Sequence, residues 1–523
     1  MKSVHFLKIL RVLLAILFFI PFLLYFVLPS NKLPVYLKTL GQIQLLPAIL
    51  NGLFIWVGVL MLITLFFGRI YCSVLCPAGV LQDIINRLYC IGKKKKKGSR
   101  RFQFHRPHNW LRYVILALTG VLALFGFMEL CTLLDPYSNF GRISANLFRP
   151  VAYWINNILA DGLNKAGNYT LVYTSIRTVS TFSAISASVA LFVFVVMTIF
   201  RGRLFCNTLC PVGALLSLVS RYSFFKIAID DDQCSRCKAC EQTCKSEAIS
   251  TEKMSVDMSR CVGCYNCLSS CKKDAIHYEL KPSFVKKKTF PAVETDSSRR
   301  SFIATSATVA VSLPVTVLKA QLRQQQRQRM HQYQHDEHYM GPVTPPGSLS
   351  ITHFKNKCTA CHLCVTRCPS NVLRPAGFEY GFSYLLKPHM AFIDSFCNYE
   401  CKICGDVCPT GAIQPITEEE KKTIQIGIAH LYLDLCIVNT EETSCGACSE
   451  HCTTQAVHMV PYKGILTIPQ IEPDLCIGCG GCESICPVRP DRAIVIVPNE
   501  VHQKAELPPE EEKIEVAFDG FGF

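Results

Sequence analysis

The sequence predicts a composite fold: a helical membrane domain of four spans plus a fifth, joined to small α+β domains organised around cysteines. Three observations predict it. The 523-residue chain is 50% hydrophobic, with a mean hydropathy of +0.25, more apolar than a soluble globular protein of that size. Its apolar residues concentrate in stretches near the ~20 residues a helix needs to cross a bilayer. Its 30 cysteines fall into tight repeated motifs within a long chain, which favours metal or cluster ligation over the disulfide scaffold of a short secreted domain.

Four apolar stretches stand out, at residues 9–28, 45–67, 113–130 and 182–200. The loops between them orient the domain. Residues 68–112 carry 11 Lys+Arg and one acid, whereas residues 29–44 carry two Lys and residues 131–181 carry four Lys+Arg. The positive-inside rule then places the N-terminus and the basic loop in the cytoplasm. The same rule explains the basic excess beside apolar spans, so nucleic acid is not an expected partner. After four crossings residues 201–300 are cytoplasmic too. A weaker apolar run at residues 302–318 forms the fifth span, which leaves the rest of the chain outside. Charge changes sign there: residues 1–318 hold 37 Lys+Arg against 15 Asp+Glu, residues 319–523 hold 17 against 24.

The membrane part contains an internal repeat. "GRIYCSVLCPAG" and "GRLFCNTLCPVG" each follow the second helix of a pair. Repeats in membrane proteins commonly pack about a pseudo-two-fold axis with a site at their interface. The expectation is that Cys72, Cys76, Cys206 and Cys210 meet at the cytoplasmic membrane edge as a shared redox or metal site. The plainer reading is a turn with small apolar side chains at each helix end.

Cys234, Cys237, Cys240 and Cys244 follow C-x2-C-x2-C-x3-C, and Cys261, Cys264, Cys267 and Cys271 repeat it. Three thiolates on one short loop cap three irons of a cubane and the fourth reaches a neighbouring cluster. Cys234, Cys237, Cys240 and Cys271 are expected on one [4Fe-4S] cluster, and Cys261, Cys264, Cys267 and Cys244 on a second. Zinc sites pair two C-x-x-C units across a longer gap, so the spacing argues against zinc. Lys245 and Lys272 replace the usual proline after the fourth cysteine, a departure expected to affect the local turn.

Four further motifs follow. They are Cys358, Cys361, Cys364, Cys368; Cys397, Cys401, Cys404, Cys408; Cys436, Cys445, Cys448, Cys452; and Cys476, Cys479, Cys482, Cys486. The second has one extra residue in its first gap, and the third a much longer first gap. The 24 motif cysteines suffice for six [4Fe-4S] clusters and, with the four cysteines of the duplicated string, leave Cys90 and Cys131 as ordinary thiols. "CTACH", residues 358–362, matches a c-type haem attachment pattern. It lies inside a complete cluster motif, whose Cys364 and Cys368 a haem would leave unexplained.

On these motifs the first half resembles the NapH-type membrane subunits of periplasmic nitrate respiration, and the second half resembles a NapG- or MauM-type four-cluster ferredoxin. The chain looks like the two fused. The expected organisation is a membrane domain (1–225), a cytoplasmic two-cluster ferredoxin (226–285), a signal, fifth span and linker (286–345), an exported four-cluster ferredoxin (346–500) and an acidic tail (501–523). Arg299-Arg300, followed by the run at 302–318, reads as an internal twin-arginine signal that would export a folded, cluster-loaded domain across a bacterial plasma membrane. His331, His335 and His338 in the linker read as a solvated face.

No Walker A loop, dinucleotide fingerprint or catalytic triad pattern is present, so terminal catalysis is expected in a partner. The resemblance implies electron transfer in anaerobic respiration from menaquinol, drawn from the quinone pool, to a periplasmic reductase or cytochrome. Glu129 and Asp135 are candidate proton acceptors for quinol oxidation. The alternative is a maturation protein that passes electrons from a cytoplasmic donor to a metal centre of a partner enzyme.

Overall fold

A computed structural model describes residues 2–28, 36–93, 102–174, 180–280 and 341–507. The arginine pair at 299–300, the fifth span, the three linker histidines and residues 508–523 of the tail lie outside the described residues.

Among the described residues, two helices are long and apolar enough to cross a membrane. The first lies within α1 (Lys2–Val27) and the other is α9 (Thr181–Arg201). The expected spans at 45–67 and 113–130 are interrupted. The former divides into α2 (Leu45–Leu50) and α3 (Phe54–Phe67), and the latter into α5 (Asn109–Leu124) and α6 (Glu129–Leu134). Each break falls at a glycine with a left-handed backbone, Gly52 at φ +75° and Gly126 at φ +82°, a torsion that ends a helix and that hydropathy does not register. At ~1.5 Å per residue, α3 and α5 are ~21 Å and ~24 Å long, short of a ~30 Å hydrocarbon core. Their outward faces are nevertheless apolar: Ile55 and Leu62 of α3 and Leu118, Val121 and Leu124 of α5 are exposed.

The two repeats fold alike. In the first, α3 leads into a single turn (Tyr71–Val74) and then α4 (Pro77–Lys93). In the second, α9 leads into Leu204–Thr208 and then α10 (Pro211–Ser220). The proline that follows the second cysteine of each motif opens a helix, where its missing N–H and preset φ are tolerated. Between the repeats lie α7 (Pro136–Ile143) and α8 (Arg149–Lys165).

Strands β1 (Phe225–Ile229) and β2 (Ile276–Leu280) pair antiparallel, with Ile227 opposite Tyr278. Between them α11 (Ala239–Thr243) packs on α12 (Asn266–Ser270). The C-terminal segment is built likewise. In it α13 (Leu363–Arg367) packs on α14 (Ile403–Val407), and α15 (Ala447–Glu450) on α16 (Gly481–Ile485). There β3 (Ile424–Leu431) pairs with β6 (Ile494–Lys504), and β4 (Val457–Tyr462) forms a hairpin with β5 (Leu466–Ile471).

The two cysteine-rich modules meet α1 near opposite ends. Lys8 donates from Nζ to Ser269 Oγ of the first module (3.2 Å). The guanidinium of Arg367, in the second module, lies 4.7 Å from the ring centroid of Tyr25 and donates to the Tyr25 carbonyl. Lys8 and Tyr25 are ~26 Å apart along a helix rising ~1.5 Å per residue.

Candidate metal centres

The repeat brings Cys72, Cys76, Cys206 and Cys210 into one apolar core, each 3% exposed. The two halves are tied by reciprocal bonds. Arg69 donates from Nη2 to the carbonyl of Cys206 (3.0 Å), and Arg203 donates from Nη1 to the carbonyl of Cys72 (2.9 Å). Each guanidinium also approaches the thiol of its own motif, at 3.8 Å from Cys72 Sγ and 3.9 Å from Cys206 Sγ. The last glycine of each motif is required by this closeness. A Cβ on Gly79 would lie 2.1 Å from the Cys72 carbonyl oxygen, and one on Gly213 would lie 2.3 Å from that of Cys206. Both arginines were visible as the repeated Gly-Arg of the motif, but their reach across the axis was not.

Two polar residues break the symmetry. Gln82 accepts from the Cys206 thiol (3.3 Å). Asp83 is held by three cations, Arg11, Arg203 (2.7 Å) and Lys245 (2.5 Å). The equivalent positions in the second repeat are Leu216 and Ser217. The signal for Asp83 was its being the lone acid in a loop of eleven basic residues.

In the first module a cavity of about 310 Å³ is lined by Cys244, Cys261, Cys264 and Cys267, the four residues grouped from spacing. Cys234 and Cys237 face Cys240 ahead of α11, and Cys271 caps the end of α12. Burial pushes the Cys240 and Cys244 thiols up to about 11 and Cys261 up to about 12. These thiols stay protonated at neutral pH, so ligation releases protons and is itself pH-dependent. Lys245 does more than alter a turn. Its side chain is buried against Asp83 and its carbonyl accepts from the Arg203 N–H (2.9 Å), which seats the module on the repeat. Arg69 to Ser259 O (3.0 Å) and Ser220 to Met258 O (2.8 Å) complete the contact.

In the second module a cavity of about 370 Å³ is lined by Cys436, Cys445, Cys448 and Cys486. Cys452, Cys476, Cys479 and Cys482 face one another. The first two motifs exchange their last cysteines in the same way: Cys408 faces Cys358, Cys361 and Cys364, and Cys368 faces Cys397, Cys401 and Cys404. Each fourth cysteine of this module has crossed to its neighbour, the partition expected of paired cubanes. These groups adjoin in series, since the Cys397 N–H donates to the Cys479 carbonyl (2.9 Å).

The chemistry of these sites suits cubanes. Backbone N–H groups point at sulfur, from Ala248 to Cys244 (3.4 Å), Ala360 to Cys358 (3.4 Å) and Ile413 to Cys408 (3.4 Å), where they stabilise a ligating thiolate. Among the described residues no three His, Cys, Asp or Glu side chains converge on a single metal ion.

The remaining candidates have structural partners. Glu129 is buried in an ion pair with Lys387 (3.3 Å), a partner 258 residues away in sequence. Asp135 caps α7, accepting from the Ser138 N–H (2.7 Å) and hydroxyl (2.8 Å). His362 of "CTACH" is buried between the Asn146 amide (3.1 Å) and the Leu386 carbonyl (2.9 Å), so neither ring nitrogen is free for haem iron. Cys90 and Cys131 bond to helix carbonyls.

Known families match along the chain. A 4Fe-4S binding domain family matches residues 49–98 and 183–229, which hold the two copies of the duplicated string, and 4Fe-4S dicluster domain families match 257–372, 357–413 and 443–489. The methylamine utilization ferredoxin-type protein MauM of Methylobacillus flagellatus is 30% identical over 169 residues, 30% of this chain and 69% of the relative. MauM of Methylorubrum extorquens is 31% identical over 166 residues, 30% of this chain and 74% of the relative. The ferredoxin-type protein NapF of Escherichia coli K12 is 27% identical over 146 residues, 28% of this chain and 80% of the relative. No solved structure matches.

Proposed function

From the premise that this chain belongs to the MauM ferredoxin-type family and is an iron–sulfur electron-transfer protein, we propose that it is a membrane-bound relay. In this reading a NapH-like membrane part and a NapG/MauM-like ferredoxin are fused, and electrons pass from menaquinol to a periplasmic reductase. The cubanes, when bound, supply one-electron transfer without a change of ligands.

The observation that carries the reading is that the two cysteine-rich modules meet α1 near opposite ends, with the four-thiol core of the repeats in the same apolar cluster as Cys264 of one module and Cys361 of the other. An arrangement in which ligands of both modules abut one core favours conduction across it. We assign six [4Fe-4S] sites to the 24 motif cysteines. Cys72, Cys76, Cys206 and Cys210 form the redox site between the modules, and the match of a 4Fe-4S binding family to both repeats supports this. Arg69 and Arg203 hold the thiols in register and place positive charge beside them. The two apolar helices, with α3 and α5 as shorter apolar partners, support a membrane location, and the basic loop of residues 68–112 is the reason to assign the first module to the cytoplasm and the second to the periplasm.

The maturation reading rests on the first module. Its clusters lie on the far side of the core from a periplasmic acceptor, as a cytoplasmic donor would require. Adding menaquinol anaerobically to cluster-loaded protein in nanodiscs, with EPR detection and dithionite as the full-reduction control, tests the choice. Reduction by quinol supports the respiratory relay. Reduction by dithionite alone favours the cytoplasmic donor.

A further inference from the structure

A second polar site lies beside the first module, in residues the relay does not use. A solvent-open cavity, about 340 Å³ with its mouth included, is lined by Arg106, Arg112, Arg201, Arg260, Ser246 and Glu247, among others. Its floor is buried, with Arg112 2% exposed, Ser246 4% and Arg260 5%. Arg260 spends Nε on Asp257 (3.0 Å) and Nη1 on the His105 carbonyl (3.0 Å). Its Nη2, and the hydroxyl oxygen of Ser246, are buried with no partner in the protein. Orphaned buried polar groups of this kind are destabilising unless something satisfies them. Glu247 on the wall bonds to His105 (3.0 Å) and Asp257 pairs with Arg260 (3.0 Å), so four guanidinium groups against two carboxylates leave the cavity cationic.

Helix geometry adds to this. α5 begins at the cavity wall, and His108 before it contributes no side-chain cap. The first-turn N–H groups and the helix dipole therefore favour an anion there. An uncapped helix start, arginine forks and a hydroxyl are complementary to a phosphate group.

The source of the phosphate follows from what continues out of the cavity. α5 starts there and α9 ends there at Arg201. On α5, Trp110, Leu111, Val114 and Leu118 are exposed, and on α9 Ile199 and Phe200 are exposed. Exposed apolar residues thus sit on both helices next to the cationic cavity, with Trp110 in the first turn of α5, a residue type common at membrane interfaces. We propose that this cavity binds the phosphate of an anionic phospholipid, whose acyl chains lie along α5 and α9. The site rests on the membrane reading above. It involves Ser246 and Arg260 of the first module, so an occupied site joins that module to the bilayer as well as to the repeats.

The test uses the full-length, cluster-loaded protein purified in detergent and offered phosphatidylglycerol, phosphatidylcholine or inorganic phosphate. Lipid retention is measured by native mass spectrometry alongside the thermal midpoint. The variants are Arg106→Gln and Arg201→Gln on the rim, since Arg112 and Arg260 also hold the core and their loss could unfold it. Preferential retention of phosphatidylglycerol that drops about five-fold with each rim substitution supports the site. Equal retention of the two lipids by protein that resists carbonate extraction overturns it. An equal midpoint rise with inorganic phosphate alone, with no lipid preference, overturns the lipid source. Release of the protein from membranes by carbonate overturns the membrane reading itself.

Discussion

Lys245 of the first module and Asp83 of the first repeat form a buried ion pair, with Nζ 2.5 Å from Oδ2 and side-chain exposures of 5% and 16%. Asp83 also binds Arg11 and Arg203, so one carboxylate joins the first helix, both repeats and the module. Burial alone would keep this acid protonated; three cations keep it charged.

Asp83→Asn should therefore be far more harmful than Lys245→Ala. The first leaves three cations around a neutral amide, and the second leaves two cations on the carboxylate. Removing one side of a buried pair costs about 3–5 kcal/mol. The expected result is failure of Asp83→Asn to accumulate folded, while Lys245→Ala yields protein with a lowered thermal midpoint. Lys245→Pro, which restores the usual ferredoxin residue, should also lower the midpoint.

The Lys387 and Glu129 pair offers a double-mutant cycle. Each single change to Met should destabilise by about 3–5 kcal/mol, because the partner is left charged and buried, while the double change should cost much less. Denaturant titration of all four proteins checks this. Additive losses would mean that the two side chains do not interact.

The exchange of fourth cysteines predicts unequal pairings. Cys244→Ser should remove the same EPR signal as Cys261→Ser and leave that of Cys240→Ser intact, although Cys240 is its neighbour in the motif. Equally, Cys408→Ser should match Cys358→Ser and not Cys404→Ser. Loss of the signal shared with the same motif instead would refute the partition.

Acid should weaken the second module through His389. Burial, then Arg374, holds its imidazole down to about 4, against 6.5 in an unfolded chain. Below pH 6.5 the unfolded form takes up a proton that the folded form does not, so stability is unaffected above that pH and falls as pH drops toward 4. The slope is about 1.4 kcal/mol per pH unit. His389→Gln should flatten the pH dependence of unfolding by that amount relative to the parent, which cancels any acid lability of the clusters.

Much of the site was legible because ligand spacing is local. Three cysteines on a short loop face one point whatever surrounds them, and the duplicated string implied an axis that the reciprocal Arg69 and Arg203 bonds obey. Span lengths were less legible, since hydropathy averages over Gly52 and Gly126 and backbone torsion decides where α2 and α5 stop. Long-range pairing was not legible at all. Lys245 read as a missing proline because nothing near it indicates Asp83, and Glu129 read as a proton acceptor because Lys387 lies in a different module.

The proposed relay requires electrons to pass between the two modules through the four-thiol core. Sealed proteoliposomes with the second module outward, given external dithionite that does not cross the bilayer, test it directly by EPR. The parent protein should reduce the clusters of both modules, and Cys206→Ser should confine reduction to the outer one. Reduction of the outer clusters alone in the parent, or of both modules in the variant, would contradict the account.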